Sequence, residues 1–209
     1  MSERSDSTER HWQQVYASQA AEEVGWYQAA HEVSIDLIRR SGVVEDGRIL
    51  DVGSGATTLL DGLLEAGYSG LIAVDISTSG LQMSKQRLGE KVQWLVADIT
   101  KPSELFDIGP VDLWHDRAVL HFFTSKEERE GYLLTLRTLL KGGGHAVIET
   151  FSPDGAPKCS GLELRRYDEE MLQRFLGEEF VLLESRRHVH STPSGGQRPY
   201  VSTLFRRLS

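Results

Sequence analysis

Three apolar runs in the chain close on a carboxylate: Arg48-Ile49-Leu50-Asp51, Leu71-Ile72-Ala73-Val74-Asp75 and Leu95-Val96-Ala97-Asp98. An acid at the end of a buried strand accepts hydrogen bonds from hydroxyl or amino groups of a bound ligand. After Asp51 the chain turns through Gly53-Ser54-Gly55-Ala56-Thr57-Thr58. Two glycines spaced by one residue let a ligand approach the backbone, and a helix starting near Ala56 or Thr57 would offer it unpaired amides. Asp75 follows Gly53 by 22 positions, where a doubly wound fold places the acid that binds ribose hydroxyls. A fourth stretch, Leu113 to Phe123, sets His115, Asp116, Arg117 and His121 beside apolar residues. His115 and Asp116 are the candidate general bases, and Arg117 and His121 are candidate substrate contacts. The competing reading pairs Asp116 with Arg117 and packs His121 on Phe122.

The elements that must position these groups follow from periodicity. Strands are expected at Arg48–Asp51, Leu71–Val74, Val92–Val96, Val111–Trp114 and His145–Thr150, with helices at Ser79–Leu88 and Lys126–Leu140 between them. This alternation gives an α/β doubly wound, mostly parallel, Rossmann-like sheet whose active loops lie at the strands' C-terminal ends. A helix at Tyr167–Leu176 precedes two runs, Phe180–Val189 and Tyr200–Arg206, joined by Thr192-Pro193-Ser194-Gly195-Gly196; these read as an antiparallel C-terminal hairpin. At the other end, Met1–Glu9 reads as a frayed tail, Arg10–His31 as an N-terminal helical cap, and Val33–Ser41 as a helix stopped by Gly42.

Composition sets the outer bounds. With 209 residues, 39% hydrophobic and 26% charged, a single domain 1–209 is expected, with 1–31 as cap and 32–209 as core. The polar start and the lack of a ~20-residue apolar run point to a soluble, cytoplasmic protein without a membrane partner. A net charge of -8 argues against broad nucleic-acid binding. One cysteine, Cys159, allows no internal disulfide, and His188 with His190 lack a third ligand, so no metal is expected. The dinucleotide fingerprint fails at its sixth position, Thr58, which disfavours a nicotinamide or flavin cofactor.

The run Asp51-Val52-Gly53-Ser54-Gly55-Ala56-Thr57 resembles the D-x-G-x-G-x-G signature of class I S-adenosylmethionine-dependent methyltransferases. Thr57 departs from the third glycine. The resemblance implies a seven-stranded sheet, S-adenosylmethionine as cofactor, and a cofactor site at Asp51, Gly53, Ser54, Gly55 and Thr57, with Asp51 near the methionine end. It adds Asp75 and Ile76 at the ribose, and Asp98 and Ile99 at the adenine. It also implies that the loop at His115 and Asp116 faces the methyl group and the acceptor. His11-Trp12-Gln13-Gln14-Val15-Tyr16 and Trp26-Tyr27-Gln28 are similar to the opening segments of a group of small bacterial methyltransferases, in which they fold over the cofactor as a lid. The competing reading has these rings only stapling a helix to the sheet.

The acceptor is expected to be a small molecule or a protein side chain. Residues 137–209 hold 11 basic and 9 acidic residues, against 12 and 22 in 1–136. Lys158, Arg165, Arg166, Arg186, Arg187, His188 and His190 therefore suggest an anionic acceptor, with Arg165 and Arg166 as its ligands. Ordinary surface pairing with Glu163, Asp168 and Glu184 competes with that reading. A protein lysine acceptor and a non-catalytic cofactor-binding regulator are the alternatives.

Overall fold

Residues 3–209 are described by a computed structural model. The helices are α1 (Glu3–Ser18), α2 (Glu32–Ser41), α3 (Leu59–Glu65), α4 (Thr78–Leu88), α5 (Lys126–Leu139) and α6 (Glu169–Leu176). The strands are β1 (Arg48–Val52), β2 (Gly70–Asp75), β3 (Gln93–Val96), β4 (Val111–Arg117), β5 (Leu140–Phe151), β6 (Lys158–Cys159), β7 (Leu162–Glu163), β8 (Phe180–Ser191) and β9 (Gln197–Arg207). Seven strands form one sheet in the order β3-β2-β1-β4-β5-β9-β8, while β6 and β7 make a separate small hairpin. Strands β1 to β5 pair in parallel, and β9 runs antiparallel to both β5 and β8. The order reverses between β1 and β4, the position where a doubly wound sheet opens its binding crevice.

Strand alternation divides the core between the two faces. Leu50, Val52, Trp114, Ile148 and Phe205 pack against α5 and α6. Ile49, Leu113, Val147 and Leu204 pack against α2 and α3. Local chemistry sets the ends of the helices that frame the site. Ser77 accepts from Gly80 N at the start of α4, and Ser125 and Glu128 form a reciprocal capping box on α5. Gly42 closes α2 at φ 74, a left-handed turn that favours glycine.

Several boundaries differ from the sequence reading. Met1 and Ser2 of the expected tail lie outside the described residues, but Glu3–Glu9 belongs to α1 rather than fraying. Good helix formers continue through Glu9, Arg10 and Gln13, and Gln13 Oε1 accepts from Ser77 Oγ and Ser79 N at the start of α4. Within the N-terminal cap, α1 ends at Ser18 and a 3-10 turn follows at Ala21–Glu23. Helix α3 starts at Leu59 instead of Ala56 or Thr57. Thr57 stays in the turn, its Oγ1 accepting from Leu59 N.

Candidate active site

Gly53 opens the turn after β1 at φ 63, and a Cβ there would stand 2.1 Å from Val119 Cγ2. Only glycine lets the β1 turn and the loop after β4 approach this closely. Gly55 and Gly80 form a second contact: a Cβ on either would collide with Tyr16 of α1, whose ring lies in the slot between them. On the opposite side of the β4 loop, Ala118 has φ 67. This uncommon conformation for a residue with a Cβ is fixed by its N–H donating to Glu149 O at 2.9 Å.

These turns enclose a cavity of about 850 Å³. One wall holds Gly53, Asp75, Ile76, Ala97, Asp98 and Ile99 from the ends of β1, β2 and β3, and another holds Arg117 to Phe123 from the end of β4. Trp12, Tyr16 and Trp26 of the N-terminal segment cover it. Trp12 meets Phe122 edge-on at 5.0 Å and Trp26 at 5.6 Å, and Trp26 meets Tyr16 at 6.1 Å. The aromatic rings thus pack on one another and line one side of the cavity.

Asp75 is buried, and its Oδ1 accepts from Ser77 N at 2.7 Å. Burial pushes its carboxyl up to about 7, against the opposing pull of the Ser77, Gly55 and Ile76 amides. Tyr16 is raised above the usual phenol range by its own burial and by Asp75 beside it. Asp98 Oδ1 accepts from Thr100 N at 2.9 Å and Thr100 Oγ1 at 2.7 Å, with Lys101 Nζ 3.5 Å from Oδ2. The turn-capping reading of Asp98 thus holds while the residue still lines the cavity.

Beside Gly53 lies a smaller void of about 40 Å³, bordered by Trp26, Tyr27, His31, Asp51, Ser54, His115 and Arg117, among others. Its buried polar atoms are unusual. Asp51 Oδ2, Ser54 Oγ, His31 Nδ1 and Arg117 Nε and Nη2 have no hydrogen-bond partner, although such groups are normally satisfied. An acceptor oxygen beside guanidinium and hydroxyl donors complements a zwitterion, with the ammonium at Asp51 and the carboxylate at Arg117 and Ser54. The methionine moiety of S-adenosylmethionine has this chemistry, so the residues present fit the cofactor. His31, lowered to about 3 by burial and then by Arg117, stays neutral there.

His115 and Asp116 occupy different places from those expected of a base. They are adjacent on β4 and so point to opposite faces. Asp116, fully buried, accepts from Val119 N at 3.0 Å, Leu120 N at 3.1 Å and Tyr132 Oη at 2.7 Å. Burial pushes it up to about 6 despite those donors, and it fixes the loop from behind the cavity wall. The expected Asp116–Arg117 pair is absent among the described contacts: Arg117 Nη1 donates to Trp26 O at 2.9 Å. On the other face His115 Nδ1 lies 2.7 Å from Asp51 Oδ1 and Nε2 lies 3.1 Å from Ser34 Oγ. Ser34 in turn donates to Glu149 Oε1. Glu149 Oε2 accepts from Ser202 Oγ at 2.7 Å, with His188 at 3.3 Å. Because the serine proton goes to Glu149, Ser34 Oγ in this row is left to accept from His115 Nε2. Burial works against the Glu149 anion, but His188, Arg117, His115 and Ser34 together hold it well below the usual carboxylate range. The row steadies Asp51 from behind and leaves Oδ2 free for a ligand.

Sequence reasoning missed Ser34, His31 and Glu149. A carboxylate in the middle of the apolar run Ala146-Val147-Ile148-Glu149 was a usable signal for the last of these. Nothing local marked Ser34, whose importance arises from α2 crossing the sheet.

The C-terminal basic cluster disperses. Arg166 Nη1 donates to Pro153 O and Gly155 O, both at 2.8 Å, and Arg165 covers the Tyr167 ring at 5.5 Å. Arg186 pairs with Asp36 and Glu184, Arg187 with Glu169, and Lys158 with Glu163. Neither Arg165 nor Arg166 lines the cavity. Arg166 has its charge taken up by carbonyls, Arg165 lies on an aromatic ring, and Arg186 and Arg187 pair with carboxylates, so these side chains do not assemble into an acceptor site at the cavity.

Residues 50–148 match the family model described as "Methyltransferase domain". No curated protein matches the sequence. Among solved structures the fold is similar to an S-adenosylmethionine-dependent methyltransferase from Anabaena variabilis ATCC 29413, with a TM-score of 0.80 at 14% identity over 99% of this chain and 96% of that one. It is similar to the Burkholderia thailandensis 1,6-didemethyltoxoflavin-N1-methyltransferase, solved with 1,6-didemethyltoxoflavin and S-adenosylhomocysteine, with a TM-score of 0.69 at 23% identity, covering 98% and 85% of the two chains. The N-methyltransferase NodS from Bradyrhizobium japonicum WM9, solved with S-adenosylhomocysteine, gives 0.66 at 16% identity over 94% and 98%.

Proposed function

We propose that this chain, a methyltransferase by its domain and fold with S-adenosylmethionine as methyl donor, methylates a small molecule. The observation carrying the reading is that Trp12, Tyr16 and Trp26 roof the same cavity that Asp75, Ile76 and the β4 loop line. An acceptor there is enclosed by aromatic side chains, which suits a compact molecule better than a lysine on another protein. The Burkholderia neighbour, with a small heteroaromatic compound bound, supports the same direction. All 209 residues act as one unit, in which 1–31 close the site and 32–209 carry it.

The cofactor supplies a methyl group on a positively charged sulfur, and methyl transfer is an in-line displacement. The chain's own residues orient and enclose. In this reading Asp51 and Arg117 hold the amino-acid end, Asp75 the ribose hydroxyls, and Asp98 with Ile99 the adenine. The aromatic roof excludes water and fixes the acceptor close to the methyl carbon, and positioning of this kind supplies a large share of rate acceleration. With His115 and Asp116 engaged elsewhere, they serve as positioning residues for Asp51 and for the β4 loop.

The test uses radiolabelled S-adenosylmethionine and a cell extract split into low-mass and protein fractions. Label transferred to the low-mass fraction is expected. Label in the protein fraction would favour the lysine reading, and binding of S-adenosylhomocysteine without any transfer would favour a regulator.

A further inference from the structure

We propose that the acceptor is a flat aromatic or heteroaromatic anion, a phenolate-like oxygen or an aryl thiolate, held by a hydrogen bond from His121 Nε2–H. The proposal rests on the small-molecule reading above and names the substrate class.

His121 is fully buried and lines the cavity. Phe151 N donates to its Nδ1 at 3.3 Å. That bond fixes the neutral tautomer, with the proton on Nε2. Nε2 is itself buried and has no partner. Phe122 and Phe151 clamp the ring edge-on at 4.6 and 4.8 Å. The imidazole is thus a rigid donor whose only unsatisfied atom is a proton-bearing nitrogen, and a ligand group that accepts a hydrogen bond satisfies it.

The surrounding charge is positive. Burial, then Arg117 and Arg198, lower His121 to about 3, so the ring stays neutral and cannot take a proton from an acceptor. Arg117 lies 5.2 Å over the Tyr200 ring and Arg198 5.6 Å over the Phe151 ring, with Arg198 Nη1 2.9 Å from Cys159 Sγ. Of the acidic residues lining the cavity, Glu163 pairs with Lys158, Glu128 accepts from Ser125, Asp98 from Thr100 and Asp75 from Ser77. With Arg117 taken up by the cofactor's carboxylate, a neutral N–H donor within the field of Arg198 still favours an anion and disfavours a cationic amine. Trp12, Phe122 and Phe123 border the same space, which suits a planar ring.

The chemistry then closes without a base. The acceptor arrives deprotonated, and its lone pair forms the bond to the methyl carbon. The carbon–sulfur bond breaks with its electron pair kept by sulfur. One anion and one sulfonium become a neutral methyl ether or thioether and a neutral sulfide, with no proton left to place.

The test measures binding and turnover of 4-nitrophenol and 4-nitrothiophenol, each mostly ionised at pH 8, against aniline and benzylamine as neutral and cationic counterparts. Binding to wild-type protein with S-adenosylhomocysteine is read by calorimetry, and turnover from product sulfide. Expected is binding and methylation of the anions at least tenfold better than of either amine, with the oxygen and sulfur arms showing which nucleophile is preferred. His121→Phe should raise the KM for the anion at least tenfold while leaving S-adenosylhomocysteine affinity within twofold. Preference for an amine, no binding of either anion by wild-type protein that does bind S-adenosylhomocysteine, or an unchanged KM in a folded His121→Phe protein would overturn the proposal. Failure to bind S-adenosylhomocysteine would instead overturn the broader reading of the site.

Discussion

Asp75 offers the sharpest quantitative prediction, because its burial and its ligand work on the same proton. Without ligand its carboxyl is pushed up to about 7, whereas ribose hydroxyl donors favour the ionised form and pull it down. At pH 6 about one-tenth of the sites are ionised, and at pH 8 about nine-tenths, so S-adenosylhomocysteine should bind about tenfold more tightly at pH 8, or about 1.4 kcal/mol. The sign for the ligand-free protein is opposite. The folded pKa lies above the unfolded 3.8, so the native state holds the extra proton between about pH 4 and 7 and loses stability as pH climbs through that window. Calorimetric titration at pH 6, 7 and 8 in matched ionic strength is the assay, with Asp75→Asn as control. The variant should bind more weakly and show no slope. A flat wild-type profile, or the same slope in Asp75→Asn, would refute the assignment of the ribose to Asp75.

Tyr132→Phe removes a hydroxyl that donates to Asp116 at 2.7 Å and accepts from Trp114 Nε1 at 3.0 Å; two buried groups lose a partner, so a loss of about 3 kcal/mol is expected, seen as a Tm lower by roughly 6–12 °C. Arg117→Leu should weaken S-adenosylhomocysteine by about 2 kcal/mol, roughly thirtyfold, by calorimetry; an unchanged affinity would assign its free nitrogens to another ligand. Gly53→Ala places a methyl 2.1 Å from Val119 Cγ2 at a positive φ and should cost about 1–3 kcal/mol by denaturant unfolding, partly restored by Val119→Ala. Arg165→Ala and Arg166→Ala should leave the acceptor KM within twofold, since neither residue lines the cavity.

What was legible in the sequence depended on how far apart its causes lay. Asp51, Gly53, Gly55 and Asp75 stand out because strand, turn and second acid are all written within 28 consecutive positions, 48–75, and the sheet order follows from the same alternation. His115 and Asp116 misled because both are polar and adjacent, yet the pleat sends one toward Ser34 and the other toward Tyr132. The C-terminal arginines misled for a related reason. A cluster in sequence says nothing about partners, and Asp36 meets Arg186 across 150 positions. Ser34 and Glu149 belong to a buried row assembled from α2, β1, β4, β5 and β9, and such rows become visible only once the sheet register is fixed.

Strand β8 is an outer edge of the sheet, and long, flat edges invite a second molecule to add its own strand. Its side chains Val181, Leu183 and Val189 are 41%, 50% and 56% exposed, the composition of a surface prone to self-association. Two devices oppose this. The register shifts between Leu182 and Glu184, leaving Leu183 as an unpaired extra residue that bends the strand, as bulges do. Arg186 and Arg187, neighbours on opposite faces, tie the strand to α2 through Asp36 and to α6 through Glu169. Arginines with no place in the cavity thus put charge and tertiary anchors on the open edge, features that disfavour addition of a further strand.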